Sequence, residues 1–204
     1  MAQLEIIVGK PYRFPIQNVT HCAFLLSLSY QALGSPDRAR EVANSITKLT
    51  FEHGNRMFID LAEAFQADLD LRQGRIAQAD QWARDFVAPA PHGMQRFFNA
   101  ELTSIRVLMA RNTPKSLKSA AEQLDSMHKL LGQIHHRRLM IDILGMKALL
   151  ADALNQESTA FEKLSEALTL AEPGGFIRPF LDLGHQMVDL LKRFAKQNSD
   201  LKYA

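Results

Sequence analysis

Four alanines set the frame of this sequence. Ala39, Ala79, Ala120 and Ala160 are separated by 40, 41 and 40 residues, and each has a small or apolar partner four positions later, at Ala43, Ala83, Leu124 and Leu164. Residues four apart share one face of a helix, so the pattern marks the same buried spot in four successive units. Ahead of each alanine stands a helix stop. Gly34 in Leu33-Gly34-Ser35-Pro36-Asp37 and Gly74 in Arg72-Gln73-Gly74 serve the first two, and Asn112 before Thr113-Pro114 and Asn155 serve the others. Glycine and asparagine accept the left-handed backbone that ends a helix, while Ser and Pro suit the start of the next one. The repeating unit is therefore helix, tight turn, helix.

A two-helix hairpin cannot bury its apolar stripe alone, and stacking hairpins in register gives each stripe a neighbour. The spacing predicts an all-α protein with helices near 17–33 and 36–52, 56–73 and 75–86, 94–111 and 115–131, 136–154 and 156–171, with a last helix near 185–197. Connections fall at Glu52 to Asn55, Val87 to Gly93 and Gly132 to His135. Small residues at the alanine positions let paired helices lie close, and Phe58, Phe65, Phe97, Phe98, Leu102, Leu108, Ile141, Leu144 and Leu149 fill the larger gaps. Only residues 1–15, where Leu4, Ile6, Ile7 and Val8 precede Pro11 and Pro15, are compatible with a short strand. The domain reading is an extension at 1–16, repeats over 17–184, and a capping helix with a tail at 185–204.

Composition narrows the classes further. With 47% hydrophobic and 23% charged residues the chain can build a core, which excludes a disordered segment. Ten glycines and eight prolines in 204 residues are too few for the many turns of an all-β sandwich. A net charge of +2 is small for a chain that holds nucleic acid through phosphates. Cys22, the single cysteine, excludes an internal disulfide and a cysteine zinc site and fits a reducing compartment. Met1-Ala-Gln-Leu-Glu-Ile-Ile-Val has no basic region before its apolar residues, unlike a signal peptide. The uncharged stretch from Ile16 to Pro36 carries too many polar residues to span lipid and suits a buried helix. The expectation is a cytoplasmic chain without membrane contact.

No motif demands catalysis or a cofactor. Gly9-Lys10 lacks the glycine five residues earlier that a phosphate-binding loop needs, and no Gly-x-Ser-x-Gly, His-Glu-x-x-His or Gly-x-Gly-x-x-Gly occurs. His21 points about 100° away from Cys22 around a helix, so the pair is not arranged as base and nucleophile. His128, His135 and His136 lack ligand spacing for a metal and read as solvated or capping residues; with Arg137 and Arg138 they form a basic turn at a helix start. Most of the carboxylates, among them Glu41, Glu63, Asp68, Asp70, Asp80, Asp85 and Glu101, stand beside Lys or Arg, as in Asp68 with Arg72 or Glu101 with Arg106 nearby, and the set reads as a solvated face.

The carboxy-terminal third is more specific. Ala160-Phe-Glu-Lys-Leu-Ser-Glu-Ala-Leu-Thr-Leu-Ala-Glu-Pro-Gly-Gly-Phe-Ile-Arg-Pro-Phe-Leu-Asp-Leu-Gly184, with Met187 and Leu190-Leu191 after it, resembles the end of the helical-repeat region in MalT-like regulators, the large ATP-binding members of the LuxR class. The runs Arg96 to Ala110 and Asp142 to Ala151 are similar to the same region, and the resemblance covers roughly residues 20 to 195. It implies a tetratricopeptide-like (TPR-like) superhelix of about four hairpins closed by a last helix. Within the signature, Pro173-Gly174-Gly175 stops a helix, Phe176, Ile177 and Phe180 are expected to tuck against the last hairpin, and Gly184 turns the chain into a helix carrying Leu190, Leu191 and Phe194. In the family an ATPase module precedes the superhelix and a helix-turn-helix follows it; these residues contain neither, so the expectation is an isolated sensor segment or a protein without those flanks.

The role implied is regulatory. The superhelix receives a small-molecule effector or a regulatory protein and passes that state on, without catalysis, cofactor or direct DNA contact by this segment. Lys192, Arg193, Lys196 and Lys202 fit the exposed face and tether of the last helix rather than a recognition surface. The resemblance also allows self-association through the ends of the stack. If first helices line the inner surface, as in stacked repeats generally, the groove candidates are Arg96, Phe97, Glu101, Arg138 and Asp142. The alternative is a generic TPR-type protein interaction scaffold, which a period of about thirty-four residues would have favoured.

Overall fold

The computed structural model describes residues 1–87, 98–134 and 136–197. Among them the chain is helical throughout, with no strand, and divides into two compact units, Met1–Arg111 and Asn112–Ala204. None of the described helices is long and apolar enough to cross a membrane.

The first unit holds α1 (Ala2–Gly9), α2 (Ile16–Ala32), α3 (Pro36–His53), α4 (Arg56–Arg72), α5 (Ile76–Asp85) and α6 (Ala100–Arg111). These bounds follow the repeat within a residue or two up to α5. The expected connection from Val87 to Gly93 and helix start at 94–97 lie mostly outside the described residues, and α6 begins at Ala100. Gly34 and Gly74 adopt left-handed backbone at φ 73°, and among the described residues Asn112 and Asn155 are the two other than glycine at positive φ, at 50° and 58°. Each ends a helix where its residue type allows the turn most cheaply.

The amino terminus differs from expectation. Residues 2–9 form α1 rather than a strand, because Leu4, Ile7 and Val8 recur at helical spacing and Ile7 and Val8 pack on the cluster around Val19 and Phe24. A lone strand would have left its backbone groups without partners there. The Tyr30 hydroxyl donates to Glu5 at 2.6 Å and ties α1 to α2.

The core of this unit joins α2, α3 and α4. Phe24 and Phe65 stack with centroids 4.0 Å apart, and Phe98 meets both edge-on at 5.4 and 5.6 Å. Ala39, Ala43 and Ile46 close this layer, while Ala67, Ala79 and Val107 form a second small cluster with Trp82 at its margin. The repeat alanines Ala39, Ala79, Ala120 and Ala160 are all fully buried, the result their spacing predicts. Helix α4 touches α2, α3, α5 and α6, which together cover most of its surface apart from one stripe.

That crowding explains a correction. Asp68 does not lie on a solvated face: it is 2% exposed and accepts from Arg72 at 2.7 Å and from Arg106 of α6 at 2.7 Å. Arg106 therefore serves Asp68 and not Glu101, from which it is five residues removed and about 140° around the helix. Two more arginines bind the helices in the same way. Arg40 of α3 donates to Asp70 at 3.1 Å, and Arg111 of α6 to Asp80 of α5.

The second unit holds α7 (Pro114–Ile134), α8 (Arg137–Ala153), α9 (Glu157–Ala171), the single turn α10 (Arg178–Leu181) and α11 (His185–Gln197). Helices α8 and α9 form its central hairpin around Ile141, Leu144, Ala160 and Leu164, and α11 adds Met187 and Leu190 against α8. Gly145 of α8 makes room for the Leu183 side chain just before α11, since a Cβ there would meet Leu183 Cδ1 at 2.8 Å. Arg193 of α11 is anchored at 2.6 Å to Asp152 and 3.1 Å to Glu157, so part of the expected basic face holds the helix in place. Phe180 is buried as expected, but Ile177 is 69% exposed. The one turn of α10 directs Pro179 and Phe180 inward and leaves the residue before it outside.

Candidate functional site

A cavity of about 800 Å³ lies within the first unit. Its floor is one face of α4, where Arg56, Asp60, Glu63, Ala67 and Asp70 follow at alternating spacings of four and three. That spacing keeps a stripe on one side of a helix, along about 21 Å of its axis. One wall is α5, whose Gln78, Gln81, Trp82 and Asp85 also share a face, with Phe86 just past its end. Gln17 and His21 of α2 stand one turn apart on another side, and Phe98 and Ala100 close the α6 side. First helices of three successive hairpins thus meet here with a second helix, α5.

The lining combines an apolar platform with polar groups. Trp82 and Phe86 lie 4.7 Å apart between ring centroids, and Phe58 and Phe98 add two further aromatic rings. Cavities of this size lined by aromatic surface with a few polar groups suit small molecules. Arg56 pairs with Asp60 at 2.7 Å, and Asp70 receives both Arg40 and Arg75. Burial raises the pKa of Asp70, with Arg40 offsetting part of the rise. Burial lowers that of His21 and favours its neutral form. The Gln66 amide donates to Asn44 at 2.8 Å, which leaves its carbonyl oxygen as an acceptor.

The residues expected at a groove are distributed differently. Arg96 and Phe97 lie outside the described residues. Glu101 is half-buried on α6 and is not among the lining residues; burial raises its pKa, and it forms no ion pair with a described residue. Arg138 and Asp142 belong to the second unit and pair with each other one turn apart on α8. Sequence reasoning passed over Glu63 and Asp85 as solvated carboxylates, and over Trp82. The available signal was the Trp82–Phe86 pair at i,i+4 on a helix of which only Ala79 is fully buried.

The histidine turn has a structural use. His136 caps α8, its Nδ1 accepting the Leu139 N–H at 3.2 Å. His128 stands 3.2 Å from Lys147, which pairs with Asp125 at 2.7 Å; burial, then the Lys147 charge, lowers the His128 pKa. Among the described residues no group of histidine, cysteine and carboxylate side chains is arranged to hold a metal ion. Cys22 is partly buried, and burial raises its thiol pKa, away from the reactive thiolate.

The family model for the MalT-like TPR region matches residues 1–197 of the 204-residue chain. The chain belongs to the MalT-like TPR region family. No curated protein and no solved structure matches it.

Proposed function

We propose that this MalT-like helical-repeat region is the effector-sensing domain of a LuxR-class transcriptional regulator and that its first unit receives a small molecule. The carrying observation is the cavity of about 800 Å³ between α2, α4, α5 and α6, with its aromatic wall and amide and carboxylate groups. A ligand seated there touches several elements at once. It favours whichever arrangement of those helices binds it better, and a regulator reads that bias. The reading assigns no catalytic step and no DNA contact to these residues, and it places the chain in the cytoplasm.

Trp82 is the single tryptophan of the chain and lines the cavity, so its emission reports this site alone. The test is a thermal-shift screen against neutral, anionic and cationic metabolites, with each hit repeated by Trp82 fluorescence. A true effector raises the melting temperature, because it binds the folded state only, and changes Trp82 emission over the same concentrations. If no compound moves both, and a purified partner protein binds with Trp82 silent, the reading passes to a TPR-type protein interaction scaffold.

A further inference from the structure

The charge of the cavity lining is uneven, and the imbalance survives pairing. Among the described residues four carboxylates line it, on Asp60, Glu63, Asp70 and Asp85, against one guanidinium, that of Arg56. Asp60 is matched by Arg56, and Asp70 by Arg40 and Arg75, which approach from outside the lining. Glu63 and Asp85 remain, with neither an ion pair nor a hydrogen bond to a described residue. His21, kept toward its neutral form by burial, does not restore the balance. Among the described residues the cations near the cavity are thus engaged, while two of its anions are not.

The neutral groups point the same way. The platform of Trp82 and Phe86 lies on the same helix face as Asp85, and aromatic faces attract cations through their quadrupole. The Gln66 carbonyl is left as an acceptor because its N–H₂ is used by Asn44.

We infer that the cavity of the first unit takes an organic cation, a protonated amine or quaternary ammonium, whose charge is met by Glu63 and Asp85 and whose apolar body rests on Trp82 and Phe86. The inference deepens the effector reading and rests on it. An anionic ligand would bring its charge to two unmatched carboxylates. A neutral one would gain nothing from the charge of either carboxylate, Glu63 half-buried and Asp85 exposed.

The test compares probes of one shape and different charge. The whole chain is titrated at constant ionic strength with choline, its neutral isostere 3,3-dimethyl-1-butanol, agmatine and succinate, following Trp82 emission and melting temperature. Choline or agmatine saturates, and the neutral isostere binds at least about tenfold more weakly, the ratio expected when an ion contact and a cation–π contact are both lost. A Glu63→Gln, Asp85→Asn double variant preserves shape, keeps the unliganded melting temperature and weakens the cations about tenfold, with the isostere unchanged. Equal binding of choline and its isostere, or a double variant that binds cations undiminished, overturns the inference. Silence from both cations while neutral or anionic metabolites shift Trp82 overturns the cation assignment and leaves the effector site standing. Silence from every compound of every charge overturns both.

Discussion

Asp68 of α4, its side chain only 3% exposed, accepts a hydrogen bond at 2.7 Å from Arg106 of α6 across 38 residues of sequence. The contact fixes the two first helices that flank the cavity. Removing the carboxylate leaves Arg106 and Arg72 to find other partners in a crowded interior. Both arginines are about one-fifth exposed and can recruit water, so Asp68→Asn is expected to cost about 3 kcal/mol, the low end for a broken buried pair. Urea unfolding of the first unit measures it, and a loss under 1 kcal/mol contradicts this account.

The same site predicts an acid limb. Burial pushes the Asp68 carboxyl up, but Arg72 and Arg106 together more than offset it and hold the group below its ordinary 3.8. Asp80 is also lowered, first through the hydrogen bond from Arg111. A carboxyl whose folded pKa is depressed adds stability above its unfolded pKa and loses it as pH falls through the folded value. The melting temperature is thus expected to fall below about pH 4, and the gap between wild type and Asp68→Asn to narrow over that range. A gap that stays constant down to pH 2 argues against the assignment.

Phe65 carries the aromatic core. It is fully buried, stacks on Phe24 and meets Phe98 edge-on. Phe65→Ala removes both ring contacts and opens a void that neighbouring helices close only in part, with an expected cost of about 3–5 kcal/mol by chemical denaturation. Phe65→Leu keeps most of the volume and is expected to cost clearly less, because volume-conserving swaps are tolerated best.

Helix ends allow a test of unequal costs. Gly74 sits at φ 73° with open space around a would-be Cβ, so Gly74→Ala meets backbone strain alone and is expected to cost about 1 kcal/mol. Asn155 sits at φ 58°, where glycine relieves strain. Asn155→Gly is expected to change stability by less than about 0.5 kcal/mol. Thermal melts of the two variants side by side read the difference, and equal shifts would show that φ does not govern these sites.

The helical repeat was legible because its causes are local. Gly34, Gly74, Asn112 and Asn155 end helices through their own backbone preferences, and a buried alanine every forty residues marks the close contact of paired helices. The strand-compatible reading of residues 1–15 failed for the opposite reason: Ile7 and Val8 are helical because α2 offers them an apolar surface, which no local rule contains.

The identity of the cavity residues belongs to tertiary structure. Glu63, Asp68, Asp70 and Asp85 are all acidic residues of expected helices, and all but Glu63 have an arginine within four positions. Asp68 is sealed because Arg106 arrives from α6, Asp70 is matched because Arg40 and Arg75 reach it, and Glu63 and Asp85 face the cavity without a described counter-charge. Periodicity assigns a residue to a face of its own helix, and the sequence by itself determined the helices and their ends on that basis. What a face meets depends on helices tens of residues away, and for α4, touched by four neighbours, only their packing decided which carboxylates were buried, paired or left facing the cavity.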